Sequence, residues 1–183
     1  FDKVFEDDRV FIHAHFGTNE IDDIFAKLRY LIVGCDCKWV VVDHLHMLVS
    51  ALGEGDERRA IDNIMTRLRS LVEETGAGLI LVSHLRRVDG NKGHENGIEV
   101  SLSHLRGSNS IGQLSDCVIA LERNQQSDDA DEARTTRLRI LKSRYTGDVG
   151  MATSLMYDKE TGRLSESFDT EFEVSETQTQ IAF

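Results

Sequence analysis

Two short apolar runs, WVVV (39–42) and GLILVS (78–83), stand on either side of one long amphipathic stretch, and this limits the fold more than any other feature. Between them, Asp56–Thr75 repeats Ile61, Ile64, Met65, Leu68, Leu71 and Val72 at helical spacing, with Gly76 after its end. Apolar strands joined by an amphipathic helix predict a parallel crossover, and so an α/β domain with a largely parallel sheet. In such sheets ligands collect at the carboxyl ends of the strands. The first run ends on Asp43 and the second on His84.

The remaining pattern extends this scheme. Arg9–Phe16 reads as a strand, and Asn19–Val33 as a helix with Ile21, Ile24, Phe25, Leu28 and Leu31 on one face. Trp39–Asp43 reads as a buried strand. A polar loop runs from His84 to about Ser103, and a helical turn spans Ser108–Leu114. Cys117–Leu121 is a further strand. NQQSDDADEAR (124–134) predicts a mobile loop. Thr136–Ser143 and Thr153–Tyr157 read as hairpin partners, with KETG (159–162) as the turn. Residues 1–163 are expected to form the domain and 164–183 an acidic, disordered tail.

Composition removes some classes. A net charge of −11 argues against a surface built for non-specific nucleic-acid binding, so any such contact must be local. No apolar run reaches the roughly 18–20 residues of a membrane span. Cys35, Cys37 and Cys117 make no disulfide framework, and the single residue between the first two is tighter than usual zinc spacing.

A carboxylate at a strand end can hold Mg²⁺ against nucleotide phosphates, although a cap or turn role suits the same residue. Asp43 has company. His84 lies where a polar group could report a terminal phosphate, or be a hydrogen-bonded edge histidine. Gln113 lies in RGSNSIGQLSD (106–116), just before the next strand. Lys142 and Arg144, in LKSRYTGDVG (141–150), are two apart and would share a strand face. They suit a phosphate, or equally an edge strand guarded by charge.

Taken in order, VVVDHLHMLVS, DERRAIDNIMTRLR, LILVSHL, LSHLRGSNSIGQLSD, VIALERNQQ and LKSRYTGDVG resemble the replicative hexameric helicases of the DnaB type. The likeness is strongest to the helicase half of phage helicase–primases, to which the mitochondrial helicase Twinkle is related. It covers residues 1–163. It implies a RecA-like P-loop NTPase core, rings around single-stranded DNA, Mg²⁺, and ATP or dTTP bound between subunits. On the matching positions, Asp43 would be the Walker B aspartate. His84 would sense the γ-phosphate, and Gln113 would belong to the same coupling region. Arg144, with Lys142 beside it, would be the arginine finger toward the next subunit, and Tyr157 would lie near the base. Arg86, Arg87 and Lys92, cations of the loop after His84, with Arg106 at the end of the region, would contact single-stranded DNA in a ring, although an ordinary solvated loop suits the same residues. The setting would be the cytoplasm of a bacterial or phage-infected cell, with a mitochondrial one left open.

A G-x-x-x-x-G-K-[ST] loop is absent from the chain. In the family it lies upstream of the segment matched here. The resemblance therefore implies the C-terminal part of a helicase domain, truncated before the Walker A strand and loop and inactive alone. In phage helicase–primases a similar acidic tail ending on an aromatic contacts the replicative polymerase, which implies such a role for Phe183; a plain solubilising tail fits the same residues.

Other classes are open on the residues. Two H-x-H pairs, His13 with His15 and His44 with His46, could build the zinc site of a metal-dependent hydrolase together with Asp43. A RecA-like ATPase that is not a helicase, or a non-catalytic scaffold, would share the fold.

Overall fold

A computed structural model describes residues 10–13, 21–50, 56–88 and 93–167. The chain divides into two compact units, one of residues 1–87 and 101–115 and the other of residues 88–100 and 116–183.

The first unit is built on helix packing against a small parallel sheet. Helix α1 (Ile21–Arg29) runs into a π-helical turn, Tyr30–Gly34. Strand β1 (Trp39–Val42) is followed by the short α2 (Leu45–Ser50) and the long α3 (Glu57–Thr75). Strand β2 (Gly78–Leu81) then pairs parallel with β1, Trp39 opposite Gly78 and Val42 opposite Leu81. Asp56 caps α3 by accepting from the Arg58 and Arg59 N–H groups. Gly76 ends the helix in the left-handed region, at φ 69°, where a side chain is strained. The predicted stripe of α3 is the core: Ile61, Ile64, Met65 and Leu68 join Ile21, Ile24, Leu45, Leu48 and Ile111. Leu71 closes a second cluster with Ile32, Val40 and Ala77.

The expected buried strand at Trp39–Asp43 is corrected. Only Val40 is buried, while Trp39, Val41 and Ile80 are more than half exposed. Helices cover one face of this strand pair, and the period of two sends alternate side chains to the other. The strand expected at 9–16 is not seen in its described part, since residues 10–13 are irregular; the rest lies outside the described residues.

The second unit is an antiparallel sheet in the order β3 (Cys117–Glu122), β4 (Thr135–Ser143), β5 (Gly150–Tyr157), β6 (Leu164–Ser167). Among the described residues the parallel part of the fold is thus one strand pair, and Cys117–Glu122 joins the antiparallel sheet. The KETG turn links β5 to β6, not β4 to β5, because it lies between them in the chain and they pair antiparallel; the Asp158 carboxylate steadies it by accepting from Glu160 and Thr161 N–H. Residues 164–167 of the expected tail are therefore strand; 168–183, Phe183 included, lie outside the described residues. The expected mobile loop at 124–134 is ordered. Asp129 caps a short helix, α5 (Ala130–Arg134), and the Glu132 carboxylate accepts from Asn124 and Ser127. Polar residues that bury little apolar area still order a segment when caps satisfy its backbone. Among the described residues no helix is long and apolar enough to cross a membrane.

Gly107 ties the 101–115 segment to α3. Its φ is 105°, and an added Cβ would run into Ile61 Cδ1. Gly107→Ala should lower stability by about 1–3 kcal/mol from backbone strain, with a similar overpacking cost. A urea midpoint equal to wild type would contradict this.

Candidate functional site

In the first unit, backbone hydrogen bonds carry the sheet past its formal end. Val82 N–H donates to Val42 O at 3.0 Å, and Leu45 N–H donates back to Val82 O at 2.9 Å. This holds the β1 exit, with exposed Asp43, beside the β2 exit, with exposed His84. The peptide between Asp43 and His44 is cis. The His44 and His84 ring centres are 4.1 Å apart, and His46 and His84 are 5.5 Å apart.

The segment before Arg106 is laced along the segment after His84. Arg106 N–H donates to His84 O at 3.1 Å and Arg86 N–H to His104 O at 2.8 Å, around the Leu85–Leu105 bridge. The Arg86 Nε adds a bond to Ser103 O at 2.8 Å. Gln113 is exposed on α4 (Ser110–Leu114), which is anchored by buried Ile111. Asp43, His84, Arg86, Arg106 and Gln113 thus belong to one unit. Arg87 is exposed there too, and Lys92 lies outside the described residues.

Two acids of α3 complete the surroundings, and sequence reasoning missed both. Glu57 Oε1 lies 3.2 Å from Arg106 Nη2 and 3.7 Å from His46 Nε2. Burial holds the His46 imidazole below the usual histidine range; Arg106 adds to this, Glu57 opposes it, and His84 and His44 lower it further. Asp62 accepts from the Ser108 hydroxyl, and the hydroxyls of Ser108 and Ser110 hold its carboxyl below the usual range. Only the helical register of α3 could have hinted at either contact.

The second unit holds Lys142, Arg144 and Tyr157. Lys142 sits in β4 opposite Val118. Arg144 lies one residue beyond the strand, so the expected shared strand face is not continued. It is tied to Asp116 through Nη1 at 2.9 Å and through its N–H to Asp116 O at 2.8 Å. Tyr157 ends β5. Nearby in the chain, a cavity of about 420 Å³ is lined by Arg123, Gln125, Ala130, Ala133, Arg134 and Lys159. Arg123 donates from Nε to Ala133 O at 2.7 Å, a contact to a backbone carbonyl.

The zinc reading finds no support in the described part. His44 precedes α2 and His46 lies within it, so they are not the strand pair that H-x-H presents to one face. His13 is exposed, and His15 lies outside the described residues. Among the described residues, no group of three or more His, Cys, Asp or Glu could hold a metal ion.

A parallel strand pair with a crossover helix and polar groups at its carboxyl ends is an α/β arrangement that RecA-like folds share with other open parallel sheets. The KaiC-like protein of the archaeon Pyrococcus horikoshii, seen in a crystal structure, matches with a TM-score of 0.59 at 13% identity, over 91% of this chain and 63% of that one. At that identity the likeness speaks for the fold. The chain belongs to the DnaB-like helicase C-terminal domain family, whose model matches residues 3–166. It is also similar to the DNA helicase/primase of Enterobacteria phage T3, 42% identical over 167 residues. That match covers 91% of this chain and spans 29% of the relative's length.

The Asp62 contact makes a pH prediction. A carboxyl whose folded pKa is depressed stabilises the fold above its unfolded pKa and loses that contribution as pH falls toward the folded value. Ser108→Ala should therefore be less stable than wild type at about pH 5, and the gap should narrow toward about pH 2, through the acid side of the usual aspartate range. Urea midpoints across that range check it; a constant gap would refute it.

Proposed function

We propose that this chain forms part of the motor of a ring-forming, NTP-driven replicative DNA helicase that translocates on single-stranded DNA and unwinds the duplex at the fork. The observation that carries this reading is the mechanical continuity of one unit. Asp43 leaves β1 beside β2, His84 follows β2, and the backbone of His84 is bonded directly to that of Arg106. A change felt at the nucleotide end can reach the cationic segment without crossing a flexible joint.

In this reading Asp43 holds Mg²⁺ through water. A single exposed carboxylate suits a hard cation that keeps most of its waters and shares the substrate's phosphates. Bound Mg²⁺ would neutralise charge on ATP or dTTP. His84 donates toward the terminal phosphate, and Gln113 stands in the coupling region behind it. Arg144, with Lys142 beside it, serves the nucleotide of the neighbouring subunit, its guanidinium aimed by Asp116. Tyr157 packs near the base. Arg86, Arg87, Lys92 and Arg106 follow the phosphate backbone, and a hexameric ring would concentrate these few cations in one channel despite the acidic whole. Residues 1–167 would be motor, β6 included, and 168–183 an acidic extension, with Phe183 an anchor for a replicative polymerase. The intact protein would act in the cytoplasm of a bacterial or phage-infected cell. An ATPase of this fold without helicase activity is the second reading; the Arg106–His84 lacing favours the helicase.

The test is NTP hydrolysis by the intact protein with and without single-stranded DNA. Hydrolysis should rise with DNA, and Arg144→Ala should reduce it by roughly 10³–10⁵-fold, the range for a finger acting in trans. DNA-independent hydrolysis untouched by Arg144→Ala would refute the reading. Separately, Lys92→Ala should weaken single-strand binding and lower its salt slope by roughly one. An unchanged salt titration would remove Lys92 from the DNA path.

A further inference from the structure

His46 has no part in the roles above, yet its surroundings are not those of a packed core histidine. It is the second residue of α2, whose first residue, Leu45, is fully buried and bonded through its N–H to Val82 O. The backbone that carries the ring is thereby fixed to the end of β2. The side chain is 10% exposed, and both ring nitrogens are buried without a hydrogen-bond partner. A buried imidazole with a purely structural role normally has its polar atoms paired.

The neighbours suggest what the nitrogens are for. The His84 ring is 5.5 Å away between ring centres, and that of His44 6.2 Å. His46 Nε2 stands 3.7 Å from Glu57 Oε1, a few tenths of an ångström beyond a hydrogen bond. That same oxygen is 3.2 Å from Arg106 Nη2. One carboxylate oxygen therefore faces two donors, and a small shift decides which it serves. We propose that His46 is a positioning residue that couples the His84 ring to the Glu57–Arg106 ion pair, so that movement at the strand end changes the hold on Arg106. This rests on the motor function proposed above. A neutral imidazole can donate from one nitrogen while accepting at the other, as a bridge between His84 and Glu57 requires. Burial and the Arg106 charge favour that neutral form.

The test uses the intact protein and the variants His46→Leu, His46→Gln and Glu57→Gln. His46→Leu should reduce the stimulation of NTP hydrolysis by single-stranded DNA about tenfold, within the usual range of coupling between sites, and leave the nucleotide KM within about twofold. His46→Gln, whose amide both donates and accepts, should restore most of the stimulation. Glu57→Gln, at an exposed helix start, should behave as His46→Leu without disturbing the core. A second readout does not depend on hydrolysis: Glu57→Gln should shift the His84 imidazole NMR resonances in the wild-type background and not in His46→Leu. Full stimulation in His46→Leu, or equal resonance shifts in both backgrounds, would overturn the proposal. If the wild type itself shows no stimulation by DNA, the motor reading fails, and the resonance cycle still decides whether His46 couples the two groups.

Discussion

Burial of the α3 stripe is the interaction on which the first unit depends. Five side chains, Ile61, Ile64, Met65, Leu68 and Leu71, are each at most 5% exposed. Burying one such side chain is worth about 1.5–3 kcal/mol, against about 1 kcal/mol for the Asp56 cap. The cap places the start of the helix, but the stripe supplies the energy. Because α1, α2, β1, β2 and α4 all pack on this stripe, its register decides which polar residues of α3 reach the strand ends. Glu57 and Asp62 are where they are because Ile61 and Ile64 are buried.

Apolar packing alone would leave the strand ends loose. Four residues of parallel pairing make a short sheet, and a pair of strands is marginal without a covering layer. The backbone bonds of Val82, Leu45, Arg106 and Arg86 extend the pairing beyond the sheet, and so give Asp43 and His84 fixed origins. The second unit uses a different device. Buried Glu122 accepts from Arg139 Nε at 2.9 Å and from the Val100 N–H at 2.8 Å, and Arg139 also meets Glu99 at 3.1 Å. A buried carboxylate is tolerable only with such partners. LERN therefore contributes a structural acid at Glu122, beside the Arg123 that lines the cavity.

Much of the site was legible. Hydrophobic period and turn residues place α1, α3, β1, β2 and β3 within a few residues, and strand-end logic singles out Asp43 and His84. Errors fell where local composition and tertiary context disagree. An all-apolar run reads as buried on both faces, yet Trp39 and Val41 are exposed. An acidic run reads as disorder, yet Asp129 and Glu132 order it through short-range hydrogen bonds. KETG was the right turn given the wrong strands, because a turn signal says that the chain reverses and not which strand it reverses onto.

By itself the sequence determined the main helices and strands, the α/β class, the family and the residue types at the strand ends. These follow from periodicity, caps and ordered motifs, all of which act over a few residues along the chain. The tertiary structure alone decided that Cys117–Glu122 joins an antiparallel sheet, that Arg144 is held by Asp116, and that one oxygen of Glu57 faces both His46 and Arg106. Those pairings join residues far apart in sequence through helical register and hydrogen-bond geometry, which no local pattern encodes.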